Sequence, residues 1–141
     1  MPRRRSVEAA LALVERRGRY LICRRKRGDF LGGYWEFPGG KREPGEAWTA
    51  CLRREVREEL GVAIRSLHFV MTLRGRYQGT QRPIVFRVFR CAIARGTPRP
   101  LSADALRWVP AGRLARYRFP SANAPLLARL CYNKRTTRRG A

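Results

Sequence analysis

Acid is what this chain lacks. Of 141 residues only ten are Asp or Glu, against 32 Lys and Arg, a formal charge of +22. Lysine is scarce too, with Lys26, Lys41 and Lys134 the only three, so the basicity is arginine. That preference fits a GC-rich genome, but base composition does not explain the shortage of acid. Histidine occurs once, at His68, in an apolar strand-like run and with no second imidazole to share a metal; it reads as structural, with an acid-base role as the alternative. Cys23, Cys51, Cys91 and Cys131 stand far apart, which excludes CxxC-type metal or redox spacing and leaves reduced thiols. No apolar run approaches the ~20 residues of a membrane span. The apolar stretch Ala9 to Val14 is too short for a secretion signal and is flanked by Glu8 and Glu15. The expectation is a soluble cytoplasmic protein.

The little acid present is concentrated. Glu43, Glu46, Glu55, Glu58 and Glu59 all lie between Gly40 and Val62, in GKREPGEAWTACLRREVREELGV. Ala47 to Leu60 has good helix formers, no internal proline, and Gly61 just past its end as a stop signal. At about 100° per residue, Glu55, Glu58 and Glu59 share one face, and Leu52, Val56 and Leu60 make the apolar stripe beside it. Three crowded carboxylates repel one another and raise their own pKa values unless cations occupy them, and hard oxygen donors suit Mg²⁺ or Mn²⁺. Arg54, four residues before Glu58, is placed to brace it. A solvated, charge-laced helix is the bland alternative. Against it stands the upstream stretch EFPGGKREPGE, where Gly39, Gly40, Gly45, Pro38 and Pro44 predict a tight loop entering the helix, which offers backbone groups to phosphate or metal.

These residues carry a resemblance. Gly40, Glu46, Arg54, Glu55, Val56, Glu58, Glu59, Gly61 and Val62 match the Nudix box, G-x5-E-x7-R-E-U-x-E-E-x-G-U with U aliphatic, at every defined position. Seven fixed residues at fixed spacing arise by chance on the order of once in a billion starting points, so the chain is identified as similar to Nudix hydrolases. The resemblance implies an α/β fold, an α/β/α sandwich with a mixed sheet and the Nudix loop-helix. It also implies a Mg²⁺-dependent (or Mn²⁺-dependent) nucleoside triphosphate pyrophosphohydrolase that cleaves between the α and β phosphates. In the mechanism it implies, Glu55, Glu58, Glu59 and the Gly39 carbonyl hold metal, Lys41 contacts phosphate, and Glu46 and Arg54 complete the catalytic set.

WEFPGGK and YRFPSANAPLLARL narrow the resemblance to the MutT branch, the 8-oxo-dGTP diphosphatases. Ungapped matching places Arg25, Phe37, Arg82 and Asn123 at that branch's base-reading positions. Each has another reading. Asn123 offers the donor and acceptor needed to read an oxidised purine, yet Asn before Ala-Pro also starts helices. Phe37 could stack on a base or fill the core, and among 29 arginines Arg25 and Arg82 could match by coincidence. One position departs: the family's loop glutamate, six residues before Trp108, is Ser102 here, and the loop offers only Asp104. The general base is therefore Glu55 first and Asp104 second.

Along the chain, Arg16-Arg17-Gly18 predicts a hairpin turn into a strand at Arg19 to Cys23. Strands are expected at Ala63 to Leu73, Pro83 to Ile93 and Leu106 to Val109. A helical turn at Ala111 to Tyr117 and a helix from Ser121 to Cys131 follow. A single domain over 1–133 and a basic, disordered tail over 134–141 are expected, with oligomeric state left open. The +22 charge would draw in nucleoside triphosphates and also contact nucleic acid without sequence preference, or simply be solvated. Alternative functions are a pyrimidine triphosphate pyrophosphatase, an RNA 5′-end hydrolase, or a binding module like the 8-oxoguanine-sensing domain at the end of MutY glycosylases, which has typically lost the box.

Overall fold

The computed structural model describes residues 5–139, with side chains described through 131. Strand β1 (Val7–Arg16) turns back into β2 (Arg19–Arg24) through Arg17 and Gly18, whose φ values of 52° and 75° are both left-handed. Two positive φ angles give a two-residue turn the twist that antiparallel strands need. The sheet runs β3-β2-β1-β6-β5, with β4 on β1 and β7 on β2. Here β3 is Trp35–Glu36, β4 Gly39–Lys41, β5 Ala63–Arg76, β6 Pro83–Arg95 and β7 Ala105–Pro110. Among the described residues only β1 against β6 is parallel; the remaining pairs are antiparallel, so the sheet is mixed.

Strand alternation decides which helix covers which face. Ala10, Ala12 and Val14 of β1 point to one side, where Cys51, Leu52, Val56 and Leu60 of helix α1 (Trp48–Leu60) pack on them. The alanines leave room for the helix to lie close. Leu13 points the other way, joining Ile22, Leu73 and Val88 under Leu126 and Leu130 of helix α2 (Ala124–Arg139). The result is the expected α/β/α sandwich. Three of the four thiols, Cys23, Cys51 and Cys91, are buried, and all four are free.

Helix α1 ends where expected, with Gly61 at φ 71° returning its N–H to the Arg57 carbonyl at 2.9 Å. Two strands were not expected. Trp35–Glu36 and Gly39–Lys41 pair with β2 and β1 respectively, at the edge of and within the stretch from Glu36 to Glu46 read from sequence as loop. At two and three residues they are too short to show a period. Strand β5 outruns its expected end and carries bulges between Arg65 and His68 and between Phe69 and Met71. The turn expected at Ala111 is a 3-10 turn, Ala111–Arg116, and another, Ser121–Asn123, precedes α2. The segment expected as a tail from Lys134 continues as helix to Arg139, and residues 140–141 lie outside the described ones.

Candidate active site

Strand β4 brings the glycines against the centre of the sheet. Gly39 has a φ of 150°, and a Cβ there would stand 2.0 Å from the Ala10 carbonyl oxygen. Only glycine lets the chain pass that close. At Gly40 a Cβ would stand 2.3 Å from Glu55 Oε2, so the glutamate carboxylate lies directly on the bare Cα. The glycines thus set the distance between β4 and the acidic face of α1.

Arg54 ties the loop to the helix. Its Nε donates to Glu46 Oε2 at 2.8 Å and its Nη2 to Glu46 Oε1 at 2.9 Å, a two-pronged pair. Nη2 also donates to the Lys41 carbonyl at 3.1 Å, and Nη1 to Glu55 Oε1 at 2.8 Å. Glu58 Oε2 is farther, 3.6 Å from Nη1. The Arg54 side chain, with the Glu43 N–H behind it, holds the Glu46 carboxyl down to about 2. Glu46 first, and Glu55 after it, raise the Arg54 pKa above its ordinary value.

Glu59 is the opposite case. Burial pushes its pKa up to about 8, the Gly39 N–H at 3.2 Å opposes the rise, and the charges of Glu36, Glu55 and Glu58 add to it. The helix therefore does present its three carboxylates together. Among the described residues no three His, Cys, Asp or Glu side chains close into a ready cation cage. The donor set nonetheless fits a hard cation, because it is all oxygen and a positive charge would relieve both the burial and the mutual repulsion of Glu59. Between pH 4.5, its ordinary pKa, and pH 8 the folded chain keeps the Glu59 proton and the unfolded chain does not. Stability is then highest below that window and is lost as pH rises through it. In chelator, the urea midpoint should fall from pH 5 to pH 8, and Glu59→Gln should flatten the fall. An unchanged slope in the mutant would remove Glu59 as its source.

Two cavities meet here. A cleft of about 240 Å³ runs from Gly39, Gly40 and Lys41 to Phe37 and Asn123. A neighbouring one of about 180 Å³ is lined by Glu36, Glu59, Ser102, Cys23 and Asp29. Arg25 borders both, with Nη1 donating to Glu36 Oε2 at 2.9 Å and Nε to the Phe30 carbonyl at 2.6 Å. Phe37 is only 2% exposed and packs 5.1 Å from the Phe119 ring, so it is a wall more than an open stacking face. Asn123 lines the cleft and donates from Nδ2 to the Pro120 carbonyl at 3.3 Å, while its side-chain oxygen has no hydrogen bond among the described residues.

Two sequence candidates are placed elsewhere. Arg82 is exposed, donates from Nε to the Arg5 carbonyl at 3.3 Å, and does not line the cleft; Arg76 does. Asp104 is held by Arg24 Nε at 2.6 Å and lines neither cavity, whereas Ser102 does line the acidic one. His68 is exposed on β5 and lines neither.

Sequence reasoning missed Glu36, whose pKa burial raises against the lowering effect of Arg25. It sits beside Phe37, just upstream of the segment where acid is concentrated. In a chain this poor in acid, that adjacency was the available signal.

The NUDIX domain family profile matches residues 3–130. A CTP pyrophosphohydrolase of Escherichia coli (strain K12) is 32% identical over 121 residues, spanning 86% of this chain and 88% of that protein. An 8-oxo-dGTP diphosphatase of Proteus vulgaris is 38% identical over a shorter stretch, 40% of this chain and 50% of that protein. The crystal structure of a MutT NUDIX hydrolase from Burkholderia pseudomallei superposes with a TM-score of 0.78 at 26% identity, covering 88% of this chain and 97% of that one.

Proposed function

The chain belongs to the Nudix family and is a hydrolase of its MutT type, and from that premise we propose that it converts 8-oxo-dGTP to the monophosphate and pyrophosphate. The observation that carries this reading is the cleft itself. Its glycine wall lies against the Glu55 carboxylate, and the same cleft is lined by Lys41, Phe37 and Asn123, so one cavity offers groups for a triphosphate and groups for a base. A second reading, a pyrimidine triphosphate, is favoured by the likeness to the CTP pyrophosphohydrolase.

Glu55, Glu58, Glu59 and the Gly39 carbonyl would hold Mg²⁺ or Mn²⁺, which when bound neutralises polyphosphate charge and makes a water more acidic. The chain's own groups do the rest. Arg54 is a positioning residue, fixing the Glu55 carboxylate and, through Glu46, the loop that carries Lys41. The Lys41 ammonium, on the cleft wall, receives phosphate. Glu55 accepts the proton of the attacking water on Oε2, which has no hydrogen bond among the described residues while Oε1 takes Arg54. Asp104, committed to Arg24, is the weaker base. Phe37 and the Asn123 oxygen receive the base; Arg25 reaches it from the side of Glu36.

Pyrophosphate release should be measured on 8-oxo-dGTP, dGTP, dCTP and 5-methyl-dCTP with Mg²⁺. A kcat/KM at least about a hundredfold higher for 8-oxo-dGTP than for dGTP is expected, with Asn123→Ala raising KM for the oxidised nucleotide and sparing dGTP. Preference for either cytosine nucleotide would transfer the assignment to pyrimidines. Equal losses on both guanine nucleotides would remove Asn123 from base reading.

A further inference from the structure

Beyond Leu60 the chain holds 17 Lys and Arg but a single acid, Asp104. The hairpin of β5 and β6 has seven arginines and no acid, and β5 is the open edge of the sheet. On the side of that hairpin that faces α1, charge and aromatic surface alternate. Phe89 belongs to the core under α1, and Phe69, paired opposite it, stacks edge-on at 5.8 Å while remaining 57% exposed. Arg87, two residues before Phe89 and so on the same face, stands 4.5 Å from the Trp48 ring. Arg42 approaches the same ring at 5.1 Å. Beyond Phe69, Arg53 of α1 donates from Nη1 to the Ile64 carbonyl at 2.6 Å. The one carboxylate seen to touch this row is Glu8, which is spent on Arg42 at 3.1 Å.

From this row we infer a binding surface for single-stranded nucleic acid, separate from the cleft. Arg87 is ordered by Trp48 and has no acidic partner among the described residues, so its guanidinium is free for a backbone phosphate. Arg53, exposed and without an acidic partner among the described residues, supplies a second guanidinium on the far side of Phe69, with only Nη1 spent on the Ile64 carbonyl. The exposed phenylalanine between them offers a face to an unpaired base, which a duplex would keep stacked inside itself. Guanidinium in place of ammonium suits the bidentate geometry of phosphate. The charge is complementary to a polyanion, and the aromatic platform selects a polyanion carrying bases over an anionic lipid surface.

The test is fluorescence anisotropy of a labelled oligothymidylate against the intact protein across a salt series. Binding should weaken steeply with salt. Phe69→Ser and Arg87→Ala should each weaken it about fivefold or more, with Phe69→Ser retaining nucleotide turnover. Arg116→Ala, exposed on the 3-10 turn after β7, should change it less than about twofold. An equal loss in Arg116→Ala would show diffuse charge and overturn the surface. So would duplex binding as tight as single-strand binding, or capture of phosphatidylserine vesicles without capture of the oligonucleotide.

Discussion

Glu58→Gln should lower kcat for pyrophosphate release by roughly a thousandfold, about 4 kcal/mol of barrier, while the urea midpoint hardly moves. The two halves of that expectation come from one geometry. The Glu58 side chain is 59% exposed and its carboxylate is 3.6 Å from Arg54, the loosest contact in the cluster. Exposed pairs of this kind contribute at most about 1 kcal/mol to folding. The negative charge is therefore held in place by helix α1 and little used by the fold, as expected of a group kept for a cation and a polyphosphate. Glutamine preserves size and helix propensity and removes only the charge. A mutant within tenfold of the intact enzyme would exclude Glu58 from the site.

The second large effect is on the fold. Gly39→Ala should give protein that fails to accumulate in soluble form, or that melts with a loss on the order of 4 kcal/mol, combining backbone strain with overpacking. The added Cβ would meet the Ala10 carbonyl oxygen at 2.0 Å and the Leu11 Cα at 2.9 Å, both backbone of the central strand. Neither can step aside without parting β1 from its neighbours. A domain whose whole stability is about 5–15 kcal/mol has little margin for that. Gly45→Ala is the control: its φ of 76° is also left-handed, but the space beyond it is open. It should lose only about 1 kcal/mol. Thermal melts and soluble yield of the pair decide; a Gly39→Ala protein as stable as Gly45→Ala would mean that β4 does not press against β1.

Helix α1 was legible in the sequence because a thirteen-residue element shows its own period: the carboxylate face and the apolar stripe recur at helical spacing, and Gly61 marks the stop. The long strands were legible as strand-like runs between turn signals, and the sandwich as what the Nudix resemblance implied. Strands β3 and β4 were not, because two or three residues hold no period and they exist through pairing with distant chain. The Asn123 and Arg76 side of the cleft depends on such pairings. Arg82 and Arg76 are equally arginine in sequence, and only the strand end at Arg76 and the turn at Tyr77–Gly79 decide which one borders the cavity. Asp104 looked available until Arg24, from a strand paired with β7, was seen to hold it. Glu36 went unmarked because its partner Arg25 and its neighbour Glu59 approach it only once β2, β3 and α1 are assembled.

The buried thiols give the molecule a clock. Burial raises the pKa of Cys51 and Cys91 above the ordinary thiol value, and at 0% and 3% exposure they meet an alkylating reagent as thiolates only when the chain opens. Cys51 lies in the seam itself, its Sγ 3.6 Å from the Gly40 carbonyl oxygen. Its labelling rate therefore times the parting of the acidic helix from the glycine strand. Cys91, on β6 in the same core, times the separation of sheet and helix. A ligand filling the cleft should slow the first more than the second, and bound nucleotide could then be followed without any turnover at all.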